Sequence, residues 1–201
     1  MFFLYGAGGH AKVILDILRA QDVEVDCVCD DAGMSEFCGL PVICGREAPA
    51  GTAIISIGKN EMRRKIAAFL ADRSDVNFAT AIHPSAIISP SAEIGEGSVV
   101  MPGALINAEA RVGVHSIVNT GASIDHDCRI GDFVHIAPHV TLCGNITIGN
   151  NAWVGAGATI IQGISIGENA YIGAGAVVIK DVPANAVVAG VPARVLRFSS
   201  H

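Results

Sequence analysis

The chain has 201 residues, of which 51% are hydrophobic, 16% are charged and 5% are aromatic. This is enough for one or two compact domains and too apolar for a disordered chain. Gly, Asn, His and Pro interrupt every apolar stretch, so we expect no membrane span. The formal net charge of −6, with only 13 Lys and Arg, argues against a general binder of nucleic acid or another polyanion.

The amino terminus and the cysteines both favour the cytoplasm. The first six residues contain no basic segment and no cleavage site, so no export signal is visible. The six cysteines form neither a CxxC pair nor the dense pattern of a disulfide-stapled domain. We therefore expect reduced thiols that behave as small hydrophobic residues in a cytoplasmic protein.

Residues 1–81 predict a small α/β domain. Phe2–Tyr5 is typical of a buried strand, a glycine-rich turn follows, and apolar residues at 13, 14, 17 and 18 then recur at helical spacing. The further expected elements are strands at Val23–Cys29, Ala53–Ile57 and Val76–Thr80, and a helix from about Asn60 to Asp72 with Met62, Ile66, Phe69 and Leu70 facing inward.

The turn Gly6-x-Gly8-x-x-Ala11 is followed about twenty residues later by Asp30 and Asp31, as in a Rossmann-like dinucleotide site. Glycines let a phosphate approach the backbone, and a helix N-terminus favours an anion. The α/β segment ends near residue 80 and is about half of a doubly wound domain, which favours a nucleotide over NAD(P). The alternative without a ligand is a tight turn beside a solvated acidic strand end.

From Ile82 to Val178, every sixth residue is Ile, Val or Leu, in seventeen repeats without an insertion. The residue four positions further on is small or aliphatic, and the residue three further on is Gly, Asn or Asp in eleven repeats. These three types tolerate the left-handed backbone of a tight corner. Each hexad therefore predicts a short strand and a corner, and three hexads close one coil of a parallel β-helix.

We expect residues 82–201 to form this three-sided prism, about 27 Å long at an inter-strand spacing of roughly 4.8 Å. The ends of such a prism present unpaired strand edges and need a cover. Residues 1–81 can cover one end. Ala184–His201, where the hexad pattern breaks, can cover the other.

Four of the seven histidines lie close together in the repeats, at 115, 126, 135 and 139. Residues eighteen apart stack on successive coils, so His126 stacks between Ala108 and Gly144. His126 occupies an outward position near a corner, between Asp125 and Asp127. An adjacent carboxylate fixes the tautomer of an imidazole and stabilises the imidazolium, so His126 is the candidate general base. Gly144 leaves room for a ligand, and its N–H can face a developing oxyanion.

The other histidines and the cysteines are weaker candidates. His135 is expected at the next corner, where we favour ligand contact over packing, whereas His115 and His139 take turn positions and are expected to be structural. A three-histidine zinc site is an alternative, but the spacings of four and nine residues fit it poorly, so no metal is expected. Cys128 points into the core, which disfavours a covalent route through it, while Cys143 is less buried.

Both halves together resemble the bacterial nucleotide-linked amino-sugar N-acetyltransferases of the sialic-acid O-acetyltransferase-like family, whose repeat region is a left-handed β-helix. The resemblance rests on the ordered segments Tyr5–His10, Asp30–Asp31, Ile57–Arg63, Ile82–Ala86, Ile124–Gly131, Gly144–Asn145 and Val188–Ala193. It implies a homotrimer, with acetyl-CoA in the groove between neighbouring prisms and a nucleotide sugar held by the N-terminal domain.

The resemblance also implies roles for individual residues. His126 matches the family's general base, Asp127 the acidic residue that raises its basicity, and Gly144 the amide that polarises the thioester. The positions that match acetyl-CoA contacts are His135, Gly144, Ala156 and Ala174, and those that match the nucleotide-sugar pocket are Gly8, Gly9, His10, Asp30, Asp31 and Gly58. Asp127 is one methylene shorter than the glutamate that the family often has there.

We therefore expect an acetyl-CoA-dependent enzyme that acetylates the 4-amino group of a nucleotide-linked, preferably UDP-linked, 4-amino-6-deoxy sugar. The expected route is direct attack of the amine on the thioester, with His126 as base and no acyl-enzyme. The alternatives are a sugar O-acetyltransferase and a non-catalytic trimer that senses nucleotides.

Overall fold

The computed structural model of the chain describes residues 1–199. In its N-terminal part, two helices flank a sheet of short strands. The elements are β1 (Phe2–Tyr5), α1 (Gly9–Ala20), β2 (Cys27–Cys29), β3 (Glu36–Phe37), β4 (Leu40–Ile43), a 3₁₀ turn (Gly45–Glu47), β5 (Gly51–Ile55), α2 (Asn60–Ala71) and β6 (Val76–Phe78). The strand order is β3-β4-β2-β1-β5-β6, and all pairings are parallel except β3 with β4.

This order confirms the Rossmann-like fold, because the central strand β1 lies between β2 and β5. The carboxyl ends of these three strands therefore meet at one edge of the sheet, which is where open parallel sheets bind ligands. The glycine turn after β1, Asp30 after β2 and Gly58 after β5 all lie at this edge. The expected second strand is shorter than predicted, and the hairpin of β3 and β4 was not predicted.

The second helix buries only part of the predicted face. Leu70 is buried and Ile66 is half-buried, as expected. Met62 and Phe69 were expected to face inward, but they are 44% and 40% exposed. The buried residues of α2 are Asn60, Arg63, Ala67 and Leu70. The prediction was wrong for Met62 and Phe69 because it followed hydrophobicity alone, whereas the first turn of this helix packs against polar main-chain groups of the prism.

The repeat region forms three parallel sheets around an apolar interior. Its strands are β7 (Ala81–Ile82), β8 (Ile87–Ile88), β9 (Glu93–Ile94), β10 (Val99–Val100), β11 (Leu105–Ile106), β12 (Arg111–Val112), β13 (Ile117–Val118), β14 (Ser123–Ile124), β15 (Arg129–Ile130), β16 (His135–Ile136), β17 (Thr141–Leu142), β18 (Thr147–Ile148), β19 (Trp153–Val154), β20 (Thr159–Ile160), β21 (Ser165–Ile166), β22 (Tyr171–Ile172), β23 (Val177–Val178), β24 (Ala186–Ala189) and β25 (Arg194–Phe198). The parallel β-helix is confirmed.

We call the three sheets by their order in a coil. Sheet I contains β7, β10, β13, β16, β19, β22, β24 and β25; sheet II contains β8, β11, β14, β17, β20 and β23; sheet III contains β9, β12, β15, β18 and β21. Partners such as Val100 and Val118 are eighteen residues apart, as the hexads predict. The β-branched residues and the small residues of each hexad form one continuous core inside the prism.

Most corners of the prism take the left-handed backbone, including several whose residues are not suited to it. Ten of the eleven Gly, Asn and Asp corner positions have positive φ, and Asp181 is the exception. Four less suited residues take the same conformation at equivalent corners: Glu109, His115, Phe133 and His139. The regular coil therefore imposes a conformation on these residues that costs about 1 kcal/mol each for a non-glycine residue.

The N-terminal domain lies along the side of the prism instead of covering its first coil. Ala81, Val99 and Ile117 point outward from sheet I, yet each is at most 1% exposed because the domain covers them. At the equivalent outward positions of sheet III, Arg111 and Arg129 are exposed. The expected end cover is therefore wrong, because the apolar outer surface of sheet I is what the domain buries.

The carboxyl-terminal segment covers part of the other end. The Val177 N–H donates to the Gly190 carbonyl (3.0 Å), and the Ala193 N–H donates to the Val177 carbonyl (2.8 Å). These bonds occupy the free edge of β23, which is the last strand of sheet II. The final strand β25 pairs antiparallel with β24, and this pairing extends sheet I.

The cost of a left-handed corner can be measured with two exposed glutamates. Glu109 has a φ of 59°, whereas Glu168 is not among the residues with positive φ. Glycine at either site loses the same chain entropy on folding, but only Glu109→Gly relieves backbone strain. We expect Glu109→Gly to exceed Glu168→Gly in unfolding free energy by about 1–2 kcal/mol. Thermal midpoints measured side by side check this, and equal midpoints would contradict the assigned strain.

Candidate active site

His126 lies at a corner between β14 and β15, where sheet II gives way to sheet III. Its Nδ1 atom is 2.8 Å from Asp127 Oδ2. Because a carboxylate only accepts, Nδ1 carries the proton and Nε2 keeps its lone pair. This hydrogen bond, followed by the charge of Asp125, raises the pKa of His126 above its usual value. The pair forms a solvent-exposed base, and the shorter Asp127 still reaches the ring.

Asp125 supports the main chain of His126 and does not touch its ring. Its Oδ1 accepts from the His126 N–H (2.8 Å) and from Asn107 Nδ2 (2.9 Å), one coil away. The backbone hydrogen bond is the larger cause of a lowered Asp125 pKa. The two carboxylates therefore have separate tasks: Asp127 sets the tautomer and Asp125 fixes the corner.

The imidazole lies directly over Gly144. A Cβ atom on Gly144 would be 2.6 Å from both Cε1 and Nε2 of His126, which is closer than real atoms approach. Among residues 1–199, no group accepts a hydrogen bond from the Gly144 N–H. The base and a free backbone donor therefore lie side by side, as attack on a thioester requires.

A second group of predicted residues lies at the carboxyl edge of the N-terminal sheet. Gly8, Gly9 and Gly58 have open space where a Cβ would stand. Gly8 is the N-cap of α1 and has no side-chain cap. Free N–H groups at a helix N-terminus attract phosphate, so this loop suits a diphosphate.

The two aspartates after β2 differ in their freedom to bind a ligand. Both oxygens of Asp30 accept backbone N–H bonds, from Ala7 (2.7 Å) and Ala32 (2.8 Å). Asp31 uses only Oδ1, which accepts from the Gly45 N–H (2.9 Å). Both border a small cavity of about 280 Å³. Asp30 therefore ties the glycine turn to β2, while Asp31 keeps Oδ2 for a ligand.

His10 and His135 meet beneath this loop. Their ring centroids are 6.4 Å apart, and the His10 Nε2 atom is buried and has no partner among residues 1–199. Burial, followed by the nearness of His135 and Arg63, lowers the pKa of His10 to about 3. His135 lies within strand β16 and not at the corner where we expected it, because the strand of each hexad includes the outward residue before the inward one, here Ile136. Burial lowers its pKa to about 4.

His135 is held at both ring nitrogens. Nδ1 is 3.2 Å from the Gly58 carbonyl, and Nε2 is 3.0 Å from Asn119 Nδ2. Its ring also packs against Trp153, at a centroid distance of 4.2 Å. Asn119 was not among the predicted residues, although it stands at the corner that follows sheet I.

Ala156 and Ala174 stand further along this same corner, between sheets I and II, and both are exposed. The corner that carries His126, between sheets II and III, is opposite sheet I, which the N-terminal domain covers. The predicted residues therefore fall into two groups on different sides of the prism. One chain does not bring His126 together with the glycine loop.

Similar proteins were found by sequence and by structure. The family models "PglD N-terminal domain" and "Bacterial transferase hexapeptide (six repeats)" match residues 2–70 and 145–180. The UDP-N-acetylbacillosamine N-acetyltransferase of Bacillus subtilis is 41% identical over 103 residues, which are 46% of this chain and 47% of that protein. The match thus spans about half the length of this curated relative.

Two solved structures align over almost the whole chain. PerB from Caulobacter crescentus, in complex with CoA and GDP-perosamine, is 38% identical with a TM-score of 0.91 and covers 96% of both chains. The acetyltransferase domain of PglB from Neisseria gonorrhoeae, in complex with acetyl coenzyme A, is 37% identical with a TM-score of 0.92 and covers 97% of this chain and 98% of that one. This chain belongs to the PglD-like family of hexapeptide acyltransferases.

In this PglD-like chain, Arg63 is the central residue that sequence reasoning missed. It is 1% exposed, and no carboxylate within residues 1–199 forms an ion pair with it. Its guanidinium donates to the carbonyls of His115 (2.7 Å), Ile57 (3.0 Å), Gly58 (2.9 Å) and Phe133 (2.9 Å) and to Asn60 Oδ1 (2.9 Å). Burial lowers its pKa to about 9. In the sequence, the only indication of this buried polar contact is the pair of polar residues 60 and 63, which lie three apart at the start of a helix.

The remaining candidates from the sequence are His115 and the two cysteines of the prism. His115 is buried against Phe133 and Phe78, at centroid distances of 5.2 and 4.5 Å, in the structural place expected for it. Cys128 is buried and Cys143 is half-buried, and all six cysteines are free. Within residues 1–199, no group of three or more His, Cys, Asp or Glu is placed to hold a metal, and no helix suits a membrane crossing.

The space over Gly144 gives a direct test of the base geometry. Gly144→Ala places a methyl group against the His126 ring and pushes Nε2 away from its position. We expect acetyl transfer to fall by about 10²-fold, which is the cost of a displacement of ~1 Å. Ala108→Ser, at the same corner one coil away, is the matched control. Wild-type kcat in Gly144→Ala would contradict the packing of the base on this glycine.

The buried histidines make stability depend on pH. The folded-state pKa values of His10, His115 and His135 are about 3, 4 and 4, below the ordinary value of 6.5. Below pH 6.5 the unfolded chain binds protons that the folded chain cannot, so stability falls as the pH drops towards 4. Each group contributes at most about 1.4 kcal/mol per pH unit.

Thermal midpoints between pH 7 and 4.5 measure this effect. His115→Phe keeps an aromatic ring between Phe78 and Phe133 and removes one proton site, so its midpoint should fall less steeply than that of the wild type. The exposed Thr141→Ala, which removes no proton site, is the control and should keep the wild-type slope. Identical slopes for the wild type and His115→Phe would show that this histidine does not titrate as described.

Proposed function

We propose that the protein transfers the acetyl group of acetyl-CoA to the 4-amino group of a nucleotide-linked 4-amino-6-deoxy sugar. The observation that carries this proposal is the His126–Asp127 pair over Gly144, which places a base beside a free backbone N–H. Acyl transfer to an amine needs these two groups. The relatives from Caulobacter and Neisseria, described as complexes with CoA and GDP-perosamine or with acetyl-CoA, support the choice of substrates.

The acetyl group passes directly from the thioester to the sugar amine, without an acyl-enzyme intermediate. The sugar amine attacks the thioester carbonyl while His126 Nε2 takes a proton from the amine nitrogen. The developing oxyanion accepts a hydrogen bond from the Gly144 N–H, and Asp127 stabilises the imidazolium. When the tetrahedral intermediate collapses, the carbon–sulfur bond breaks and the imidazolium returns its proton to the CoA thiolate. The products are the N-acetyl sugar and free CoA.

The nucleotide sugar binds at the carboxyl edge of the N-terminal sheet. The α1 N-terminus at Gly8 and Gly9 holds the diphosphate, and Gly58 leaves space for it to approach. Asp31 offers one free oxygen, which suits the single imide N–H of uracil or thymine. The Bacillus relative is named for a UDP-linked sugar, and we therefore favour a UDP-linked substrate. His10 lies beneath the same loop and faces the sugar in its neutral form.

The complete site requires more than one copy of the chain. Because His126 and the glycine loop are on different sides of the prism, we propose a homotrimer in which the loop of one subunit faces His126 of the next. Acetyl-CoA then lies in the groove between prisms, against the exposed Ala156 and Ala174 and close to His135. The six free cysteines fit a protein of the reducing cytoplasm.

Release of thiol from acetyl-CoA tests the reaction directly. UDP-, GDP- and dTDP-linked 4-amino-6-deoxy sugars are supplied one at a time, and we expect turnover with one of them. His126→Ala should reduce kcat by about 10²–10⁴-fold, because it removes the general base. Wild-type turnover in this variant would refute the role of His126. Acetyl-CoA binding without turnover on any amine would point instead to a hydroxyl acceptor.

Mixing two inactive variants tests the shared site. Gly8→Phe fills the open loop without strain. The backbone at Gly8 is extended, and a Cβ added there would have no atom within 4 Å. His126→Ala removes the base from the other group. When both variants are co-expressed equally, a site is complete only if its loop comes from a His126→Ala subunit and its histidine from a Gly8→Phe subunit. We therefore expect about one quarter of the sites to be active. Activity that stays at the level of the single variants would contradict a site made by two subunits.

A further inference from the structure

A continuous chain of hydrogen bonds runs from α2 through the nucleotide loop into the prism. Arg63 donates to the Gly58 carbonyl (2.9 Å), and this carbonyl also lies 3.2 Å from His135 Nδ1. His135 Nε2 in turn lies 3.0 Å from Asn119 Nδ2. The chain joins the loop that we assign to the nucleotide sugar to the corner that we assign to acetyl-CoA.

The direction of each bond in this chain is determined by its chemistry. A carbonyl only accepts, so His135 must carry its proton on Nδ1 and leave Nε2 as an acceptor. Asn119 Oδ1 accepts from the Thr120 N–H (2.8 Å), which fixes the amide with Nδ2 towards His135. Among residues 1–199, the second N–H of Asn119 has no acceptor. It remains available at the corner between sheets I and II, where Asn119 is half-buried.

Arg63 makes more hydrogen bonds than any other member of this chain of bonds. Its bonds to Ile57, Gly58 and Phe133 connect the nucleotide loop with the prism main chain. Nearby, Asn60 Nδ2 donates to the carbonyls of Asn151 (3.1 Å) and Ala152 (3.0 Å). The Gly58 carbonyl is therefore held from both sides of the domain boundary.

We propose that Arg63 is a positioning residue for acetyl transfer: it fixes the Gly58 carbonyl, which holds His135 as the Nδ1–H tautomer and turns the free N–H of Asn119 towards the acyl donor. This inference rests on the proposed function for its catalytic consequence, but the tautomer is a property of the protein alone. His135 then acts on the acyl donor through Asn119, because both of its ring nitrogens are already used.

Nitrogen NMR of the ¹⁵N-histidine-labelled protein at neutral pH tests the tautomer without any substrate. We expect His135 to show a protonated Nδ1 and an unprotonated Nε2. Arg63→Lys keeps a cation but loses the planar set of donors, and we expect it to give a mixture of tautomers. Arg64→Lys, at the exposed neighbouring position, should keep the wild-type spectrum. A protonated Nε2 in the wild type, or an unchanged tautomer in Arg63→Lys, would overturn the proposal.

Two substitutions of His135 give a kinetic test that does not depend on the folding of an Arg63 variant. The side-chain oxygen of glutamine can replace Nε2 as the acceptor for Asn119, whereas the shorter asparagine reaches only the Gly58 carbonyl. We expect His135→Gln to keep kcat within about tenfold and His135→Asn to lose about 10²-fold, because only the second variant releases the Asn119 amide. Equal losses in both variants would overturn the relay.

If the wild type releases no thiol with any acceptor, the proposed function fails while the NMR result still decides the tautomer. If the wild type is active and the tautomer is the opposite one, the positioning role fails alone. The two proposals are therefore separated by their readouts.

Discussion

Parallel pairing at an offset of eighteen residues runs through the three sheets of the prism, and it determines where each functional side chain lies. Ile124 pairs with Leu142 in this register, and the corners that follow these strands carry His126 and Gly144. A shift of one residue in either coil would remove glycine from beneath the imidazole. The geometry of the proposed catalytic site is thus a consequence of the repeat length. Four corner residues other than Gly, Asn and Asp also take the left-handed backbone, so the repeat is kept at a local cost.

The buried guanidinium of Arg63 is the second constraint, because it joins the two halves of the chain. A buried cation without a carboxylate partner is costly, and here its donors are satisfied by main-chain carbonyls and one amide oxygen. Its charge also helps to keep His10 and His135 neutral. The domain boundary is therefore part of the site, because the carbonyl of Gly58 is held there together with the ring of His135.

The sequence predicted the periodic features of this molecule well. An uninterrupted hexad pattern defines the prism and its corners, and the spacing of eighteen places His126 over Gly144 without knowledge of any coordinate. The same pattern did not reveal that the N-terminal domain lies on the side of sheet I, although the apolar outward residues Val99 and Ile117 carried that information. On α2 the inward position of Leu70 was predicted correctly, but the burial of Asn60 and Arg63 was not, because their hydrogen-bonding partners are distant in sequence.

The tasks of individual polar residues were the least predictable part. Asp125 and Asp127 are equivalent as neighbours of His126 in the sequence, but only Asp127, at the left-handed corner, contacts the ring. Asp30 and Asp31 likewise look equivalent, yet Asp30 is used by backbone N–H groups and Asp31 keeps one oxygen free. Such distinctions depend on turn geometry and on partners that a single sequence does not display.

The most direct test of the account is a crystal structure of the protein with CoA and the nucleotide amino sugar bound together. We expect the sugar 4-amino nitrogen to lie within hydrogen-bonding distance of His126 Nε2 of one subunit, while its diphosphate contacts the Gly8–Gly9 loop of another. The CoA sulfur should lie close to the Gly144 N–H. An amine held out of reach of His126, or a nucleotide sugar bound away from the glycine loop, would contradict the central claim.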